Sequence, residues 1–208
     1  MSELWNIETE CYDRGIRMLC GVDEAGAGPL MGPVYAAAVI LPPFCKIEGL
    51  NDSKKLTEKK REALYEQIIK KAISYSVARV EASEIDATDI LSARMKAMQM
   101  AINGLDSFPD IALIDGNKDH GKTAAITTPH ETVVGGDGKS ANIAAASILA
   151  KVSRDRYVCE ELDKKYPEYQ FAKHKGYGTK LHYEMLDKYG PCPEHRRTFL
   201  KKWEEKRK

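Results

Sequence analysis

The sequence lacks the features that would place it in a membrane, a secreted scaffold or a disordered tail. Its 208 residues contain no apolar run near the roughly 20 residues that a bilayer-spanning helix requires. The start, MSELWNIETECYDRG, has neither the basic residues nor the apolar stretch of a secretory signal, so we expect a cytoplasmic protein. There is no internal repeat, and 30% charged beside 43% hydrophobic residues are typical of a globular chain.

The cysteines also lack the spacing of a metal site or a disulfide framework. They are odd in number, widely scattered and without any CxxC pair: Cys11, Cys20, Cys45, Cys159 and Cys192. We therefore expect reduced thiols with a structural role.

Positive charge is scarce in the first part of the chain and abundant in the last. Residues 1–50 carry 3 Lys/Arg against 7 Asp/Glu, whereas residues 171–208 carry 11 against 5. Such a distribution suits a polyanion held beside bound metal, although solvated helix faces explain it about as readily. Charge alone leaves both alternatives open.

Strand and helix patterns alternate along the chain. Apolar or alternating runs predict four strands, at Ile16–Val22, Val34–Leu41, Ile73–Val80 and Ile111–Ile114. Helical spacing predicts a helix capped by Thr57 and four more, at Ser83–Leu105, Ala141–Leu162, Leu181–Lys188 and Glu194–Glu205. This order predicts an α/β domain, with a core over residues 1–170 and a helical extension of the same domain over 171–208.

The stretch GVDEAGAGP, residues 21–29, sets two acids directly before a glycine-rich turn. Gly26 and Gly28 could begin a dinucleotide-binding loop, but Gly32 comes one residue too late for G-x-G-x-x-G. The adjacent acids would also repel a pyrophosphate. The stretch therefore favours a different ligand.

Four carboxylates stand beside glycine or apolar strand residues in VDEAG, LIDGN and GGDGK: Asp23, Glu24, Asp115 and Asp137. Each alone could simply cap a turn. Together at one sheet edge they would repel one another unless they shared a cation, and oxygen ligands suit magnesium or manganese. Two such ions about 4 Å apart can hydrolyse a phosphodiester. Since a strand has period two, Asp23 and Glu24 point opposite ways in regular geometry, and Asp23 is the better candidate for a direct ligand.

Six segments covering most of the chain carry a family resemblance: GVDEAGAGPLMGPVYAAAVIL, LNDSKKLTEKKR, LIDGN, GGDGKSANIAAASILAKVSRDR, YPEYQFAKHKGYGTKLHYEML and GPCPEHRRTFL. They resemble bacterial ribonuclease HII, a type 2 ribonuclease H. The resemblance implies a ribonuclease H-like mixed central sheet flanked by helices. It also implies a nucleic-acid partner, with divalent-metal cleavage of RNA in RNA–DNA hybrids and incision of duplex DNA 5′ to single embedded ribonucleotides. We expect a monomer without a membrane partner.

By motif, the same four acids, Asp23, Glu24, Asp115 and Asp137, match the family's catalytic and metal-binding carboxylates. Tyr177 in HKGYGT matches the tyrosine that packs against the sugar at the RNA-to-DNA junction. A lone tyrosine is more often a core residue, but the charged residues and glycines around Tyr177 favour an exposed loop.

Further substrate contacts are expected from the glycine loop and from basic motifs: Gly26, Ala27, Gly28, Ser53, Lys54 and Lys151. Ser53 and Lys54 precede the helix capped by Thr57 and could meet phosphates, with a solvated helix start as the alternative. Lys151 and Arg154 lie one turn apart and could hold the scissile strand or neighbouring acids.

The acids, histidines and arginines near these motifs are interpreted as follows from their neighbours in the sequence. Asp155 is expected to pair with Lys151 and Arg154 rather than to bind metal. The residues His195, Arg196 and Arg197 could touch the nucleic-acid backbone, whereas His182 is better explained by helix packing.

Two positions depart from the family pattern. Ala27 stands where the family has arginine, which removes a cation aimed at the substrate, and Asp89 stands where it commonly has asparagine. The alternative to an active nuclease is therefore a weakened or non-catalytic hybrid-binding protein, although all four acids are retained. A nucleotide-cofactor oxidoreductase, which would rest on GAG alone, lacks the required spacing.

Overall fold

The structure is a computed structural model that describes residues 3–51, 53, 56–205 and 207. Five strands form one sheet in the order β3-β2-β1-β4-β5, where β1 is Leu19–Ala25, β2 Val34–Ile40, β3 Ser74–Val80, β4 Ile111–Asp115 and β5 His130–Val133. β2 is antiparallel to β1 and β3, whereas β4 is parallel to β1 and β5. The predicted mixed central sheet flanked by helices is confirmed.

Nine helices surround the sheet in the part of the chain that is described. They are α1 Asn6–Asp13, α2 Glu58–Lys71, α3 Ala82–Ala87, α4 Ile90–Asn103, α5 Ala141–Tyr157, α6 Asp163–Lys165, α7 Phe171–His174, α8 Lys180–Tyr189 and α9 Arg197–Glu205. α5 continues without a break into a π-helical turn over Val158–Leu162. None of the helices in the described ranges is long and apolar enough to cross a bilayer.

Strand β2, between β3 and β1, is buried on both faces, and its side chains alternate between two apolar clusters. Ala36 and Ala38 belong to the cluster built with Met95 and Met98 of α4. The intervening residues, Ala37 and Val39, belong to the cluster that also contains residues of α2 and α5. The sheet is therefore covered by α4 on one face and by α2 and α5 on the other.

One glycine determines how closely α5 lies on the sheet. A Cβ atom at Gly21 of β1 would lie 2.1 Å from backbone atoms of Asn142 and Ile143. No larger residue fits there, because real atoms do not approach so closely. This contact holds the start of α5, and with it the turn that contains Asp137, against β1.

Several sequence-based boundaries are corrected by the structure. The first strand begins at Leu19 rather than Ile16 and extends through both acids to Ala25. The long helix predicted over 83–105 is two helices, because Asp89 is extended and its carboxylate accepts a hydrogen bond from Ser92 N at 2.9 Å, which caps a new helix. The last helix begins at Arg197 rather than Glu194.

Four elements were not predicted at all: α1, α6, α7 and β5. α1 and β5 are short, and neither has a strong apolar periodicity in the sequence. The residues of β5 are mostly half-buried. The helix capped by Thr57 is confirmed, because the Thr57 hydroxyl accepts from Lys60 N at 3.4 Å. The division of the chain at residue 170 stays a prediction.

Candidate active site

Three of the predicted acids lie together at one edge of the sheet. Asp23 is on β1, Asp115 is the last residue of β4, and Asp137 is in the short 3-10 turn before α5. One carboxylate oxygen from each lies within 4.8 Å of the other two. They meet because parallel neighbouring strands end at the same edge of a sheet, where the turn before α5 also arrives.

The GGDG segment positions two of these acids through its backbone. Gly136 N donates to Asp115 Oδ1 at 2.6 Å. A Cβ at Gly136 would lie 2.5 Å from Ile143 Cδ1, and Gly135 adopts a left-handed φ of 65°. Both glycines are therefore needed for the turn that brings Asp137 next to Asp115.

Asp23 is a strongly perturbed carboxylate. It is 4% exposed, and burial is the main reason that its pKa lies well above the usual range, followed by the negative charges of Glu24 and Asp115. Hydrogen bonds from the Ser147 side chain and from Glu24 N, the latter at 2.7 Å, act in the opposite direction.

The three acids fit a hard divalent cation. Their ligand atoms are all carboxylate oxygens, which is the donor chemistry that magnesium and manganese prefer. A cation bound there would offset the repulsion that keeps the Asp23 pKa high.

Glu24 is turned away from this cluster. Its Oε1 lies 2.8 Å from Arg94 Nη2, and its carboxylate is not among the ligand atoms that converge at the edge. This agrees with the expectation that adjacent strand residues point to opposite faces. The role of Glu24 in catalysis stays a prediction.

A cleft of about 240 Å³ borders the acids. It is lined by the acids of β1 and β4, the glycine loop, and residues of three further segments: Asp23, Glu24, Ala25, Gly26, Ala27, Gly28, Ser53, Arg61, Asp115, Ser147, Lys151 and Tyr177. All described members of the predicted substrate-binding set therefore face one space. Lys54, also predicted to bind substrate, lies outside the described residues.

Tyr177 is on the surface of this cleft. Its side chain is 43% exposed, as its loop sequence predicted, and its Cε1 would lie 4.0 Å from a Cβ at Gly28. Lys151 Nζ lies 5.9 Å from the ring centroid. The ring and the glycine loop thus both line the cleft, and they lie close to each other at its surface.

The expected basic contacts divide into accessible and buried groups. Lys151 pairs with Asp155 at 2.7 Å, as expected, and keeps 25% of its side chain exposed. Arg154 is fully buried and donates to three carbonyl oxygens, of Met31, Pro33 and Lys175, so the prediction that it holds the scissile strand or neighbouring acids is wrong.

The C-terminal residues His195 and Arg196 are buried too, which contradicts their predicted contact with the nucleic-acid backbone. His195 shares a hydrogen bond of 3.0 Å with His182, whose predicted packing role agrees with its complete burial. Arg197 remains exposed, with 57% of its side chain accessible.

Three further residues near the cleft were missed in the sequence. Ser147 hydrogen-bonds Ser53 Oγ at 2.7 Å, and Arg61 donates to the carbonyl oxygen of Ser53 at 3.1 Å. Arg94 binds Glu24. All three lie on helices, and no local pattern distinguishes them from other polar residues of those helices. Only the tertiary fold brings them to the acids.

Solved structures with the same architecture identify the class. The ribonuclease H2 of Pyrococcus horikoshii OT3 is 29% identical, covers 91% of this chain and 98% of its own, and has a TM-score of 0.73. The ribonuclease HII in a PCNA complex from Archaeoglobus fulgidus is 27% identical over 86% of this chain and 94% of its own, with a TM-score of 0.68. Bst-RNase HIII in complex with Mn²⁺ shares the fold at 17% identity and a TM-score of 0.62, covering 88% of this chain and 64% of its own. The chain is an endonuclease of the ribonuclease H class.

Sequence comparison narrows the class to one family. The model of the family Ribonuclease HII matches residues 20–206. Ribonuclease HII of Caldicellulosiruptor bescii is 54% identical over 95% of this chain and 93% of its own, and that of Aliivibrio fischeri strain MJ11 is 55% identical over 90% and 88%. The chain belongs to the ribonuclease HII family, and it acts on RNA–DNA hybrids.

Proposed function

We propose that this chain hydrolyses phosphodiesters with two divalent ions and incises duplex DNA on the 5′ side of a single embedded ribonucleotide. The observation that carries the proposal is the convergence of Asp23, Asp115 and Asp137 within 4.8 Å, beside a cleft walled by the glycine loop and Tyr177. The acids supply the metal site and the cleft supplies the means to select a ribose.

Magnesium or manganese would be held by the carboxylates of Asp23, Asp115 and Asp137. Glu24 joins this set through its backbone carbonyl, because its side chain is engaged by Arg94 at 2.8 Å. When bound, ions at such a site lower the pKa of water and stabilise the leaving oxygen.

Selection of a ribonucleotide is assigned to the two walls of the cleft. The 2′-hydroxyl is the local difference between RNA and DNA, and it can both donate and accept hydrogen bonds. Backbone groups of Gly26, Ala27 and Gly28 offer partners on one wall, while the Tyr177 ring covers the sugar from the other. Ser53, Lys54 and Lys151 would meet phosphates.

The proposal also covers the oligomeric state of the enzyme, its location and its partner. We take the enzyme to act as a monomer in the cytoplasm, with nucleic acid as its partner. The alternative is a weakened hybrid-binding protein, because Ala27 supplies no cation at the position where the family has arginine. The three clustered acids favour an active enzyme, since a protein that only binds hybrids does not need carboxylates that repel one another and the substrate.

The test is cleavage of a DNA duplex that carries one ribonucleotide, with and without magnesium, next to an all-DNA duplex and a continuous RNA–DNA hybrid. The expected result is a single metal-dependent incision 5′ to the ribonucleotide and none in all-DNA. Binding of the hybrid without cleavage in magnesium or manganese would favour the alternative. Cleavage of the continuous hybrid, without incision at the single ribonucleotide, would show that the enzyme lacks the second activity.

A further inference from the structure

The buried guanidinium of Arg196 lies directly behind the glycine loop. This side chain has no solvent exposure, yet it donates hydrogen bonds to four loop carbonyls. Nη2 binds Gly26 O at 2.7 Å, Nη1 binds Ala27 O at 3.0 Å and Pro29 O at 2.9 Å, and Nε binds Gly32 O at 2.9 Å. One side chain therefore fixes the direction of four peptide groups.

This arrangement determines where the loop's N–H groups point. The described residues contain no cis peptide bond, and in a trans peptide the N–H is opposite to the preceding C=O. Since the carbonyls of Gly26 and Ala27 point at Arg196, the N–H groups of Ala27 and Gly28 point away from it, to the side of the loop that lines the cleft. Among the described residues neither N–H has a hydrogen-bond acceptor.

Two buried arginines lie behind the loop. Arg154 is buried beside Arg196, and neither forms an ion pair within the described ranges. Burial and the charge of Arg154 lower the pKa of Arg196 to about 9, so the Arg196 side chain is still a cation at neutral pH. Charges in a low-dielectric interior are weakly screened, and they make the outward N–H groups better donors to an anionic strand.

We propose that Arg196 is a positioning residue for ribose recognition: it turns the Ala27 and Gly28 N–H donors toward the ribonucleotide strand, with which it has no contact of its own. The inference rests on the proposed function, because it names the residue that orients the glycine loop for selecting a ribonucleotide. It also explains how a loop without arginine at position 27 keeps an ordered set of donors.

The test uses Arg196→Lys, which keeps the charge but loses the rigid fork of donors that reaches four carbonyls. Affinity is measured in calcium for a duplex with one ribonucleotide and for the same duplex in all-DNA form. The expected result is a loss of about tenfold in the ratio of the two affinities, the equivalent of one or two hydrogen bonds, with all-DNA binding unchanged. Manganese binding by the free protein is also expected to be unchanged.

Two controls separate positioning from loss of stability or charge. Arg156→Lys makes the same change at an arginine of α5 whose partners are Glu62 and Glu66 of α2 rather than the glycine loop. Ile102→Ala lowers stability from a buried position on α4. Both are expected to keep the affinity ratio within about threefold, since a change of under 1 kcal/mol is less than one hydrogen bond. An equal loss of the ratio in Arg156→Lys, or in Ile102→Ala at matched melting temperature, would overturn the inference.

The loop itself provides a readout that does not depend on activity. Backbone amide resonances of Ala27 and Gly28 in the free protein are expected to shift in Arg196→Lys and to stay in place in Ile102→Ala. Arg196→Gln, a neutral side chain that can still donate to two carbonyls, serves the same comparison if the lysine variant does not fold. Unmoved resonances would refute the positioning role. A wild-type protein that fails to prefer the ribonucleotide would instead refute the proposed function.

Discussion

The acidic edge of the sheet and the glycine loop next to it hold buried charge of opposite sign. At the edge, carboxylates converge within 4.8 Å, and the pKa of Asp23 is raised by burial and by its acidic neighbours. Behind the loop, Arg154 and Arg196 are buried with backbone carbonyls as their hydrogen-bond partners. The first region has the donor chemistry for a cation, and the second lies next to a surface suited to an anion.

The two regions also differ in how they are made. The acids are positioned by strand ends and by the GGDG turn, which are local features of sequence. The loop is positioned from a distance of 170 residues along the chain, because Arg196 Nη2 binds Gly26 O. Metal binding is therefore expected to survive changes in the C-terminal segment that remove ribose selection.

The largest effect is expected from removing charge at the acidic edge. Asp115→Asn and Asp137→Asn should each reduce cleavage by at least about 1,000-fold, because each removes a proposed metal ligand. Their metal-free melting temperatures should stay the same or rise, since repulsion with Asp23 is relieved. Glu184→Gln, at a carboxylate with 52% exposure on α8, is the control and should retain activity. Near-normal turnover of either aspartate variant in saturating magnesium would contradict the site.

A smaller effect is expected at the opposite wall of the cleft. Tyr177→Ala should lower incision at a single ribonucleotide roughly 10- to 100-fold, because a base or sugar loses its aromatic platform, while duplex binding changes much less. Tyr177→Phe should retain most of the rate. Tyr189→Ala, at a tyrosine of similar exposure, 47%, is the control. Equal losses of incision and binding would indicate that Tyr177 packs in the protein and does not recognise the ribonucleotide.

The contrast between the regions explains what the sequence could predict. Asp23, Asp115 and Asp137 follow apolar runs or sit among glycines, so strand ends and turns, both local signals, lead to the acidic edge. The break at Asp89 and the short strand β5 escaped detection, because a cap inside an apolar helical pattern and a half-buried strand have weak periods. Arg196 was misassigned to the substrate because sequence cannot tell an exposed arginine from one that is buried against carbonyls.

Acidification should affect the buried histidines and the acidic edge in opposite directions. Burial, together with the positive charge of His174, lowers the pKa of His182 to about 4, and burial and His182 lower that of His195 to about 3. These groups stay neutral in the folded protein but take up protons in the unfolded chain near pH 6.5, so stability is lost as pH falls below that value. Protonation of Asp23, whose pKa is raised, works the other way.

The measurement is chemical unfolding at pH 7 and pH 5 in metal-free buffer. Wild type should lose about 2 kcal/mol more than His182→Gln between these values, because the variant lacks one histidine that is buried in neutral form. The contribution of Asp23 is present in both proteins and cancels in the difference. Equal losses would show that His182 is protonated in the folded protein at pH 5.

The smallest effect is expected from returning charge to the loop itself. Ala27→Arg should add about one phosphate contact, which steepens the log–log salt dependence of binding by roughly one unit and raises affinity about tenfold at low salt. Ala27→Gln has a long side chain without the charge and should leave the slope unchanged. Because Arg196 holds the Ala27 carbonyl at 3.0 Å from behind, the new side chain can extend outward without disturbing the donors.

The measurements use a duplex with a single ribonucleotide. Binding is measured across a salt series in calcium, and cleavage is measured in magnesium. An unchanged slope with arginine would show that residue 27 does not face the nucleic acid, and cleavage that appears only with arginine would favour the weakened hybrid-binding protein.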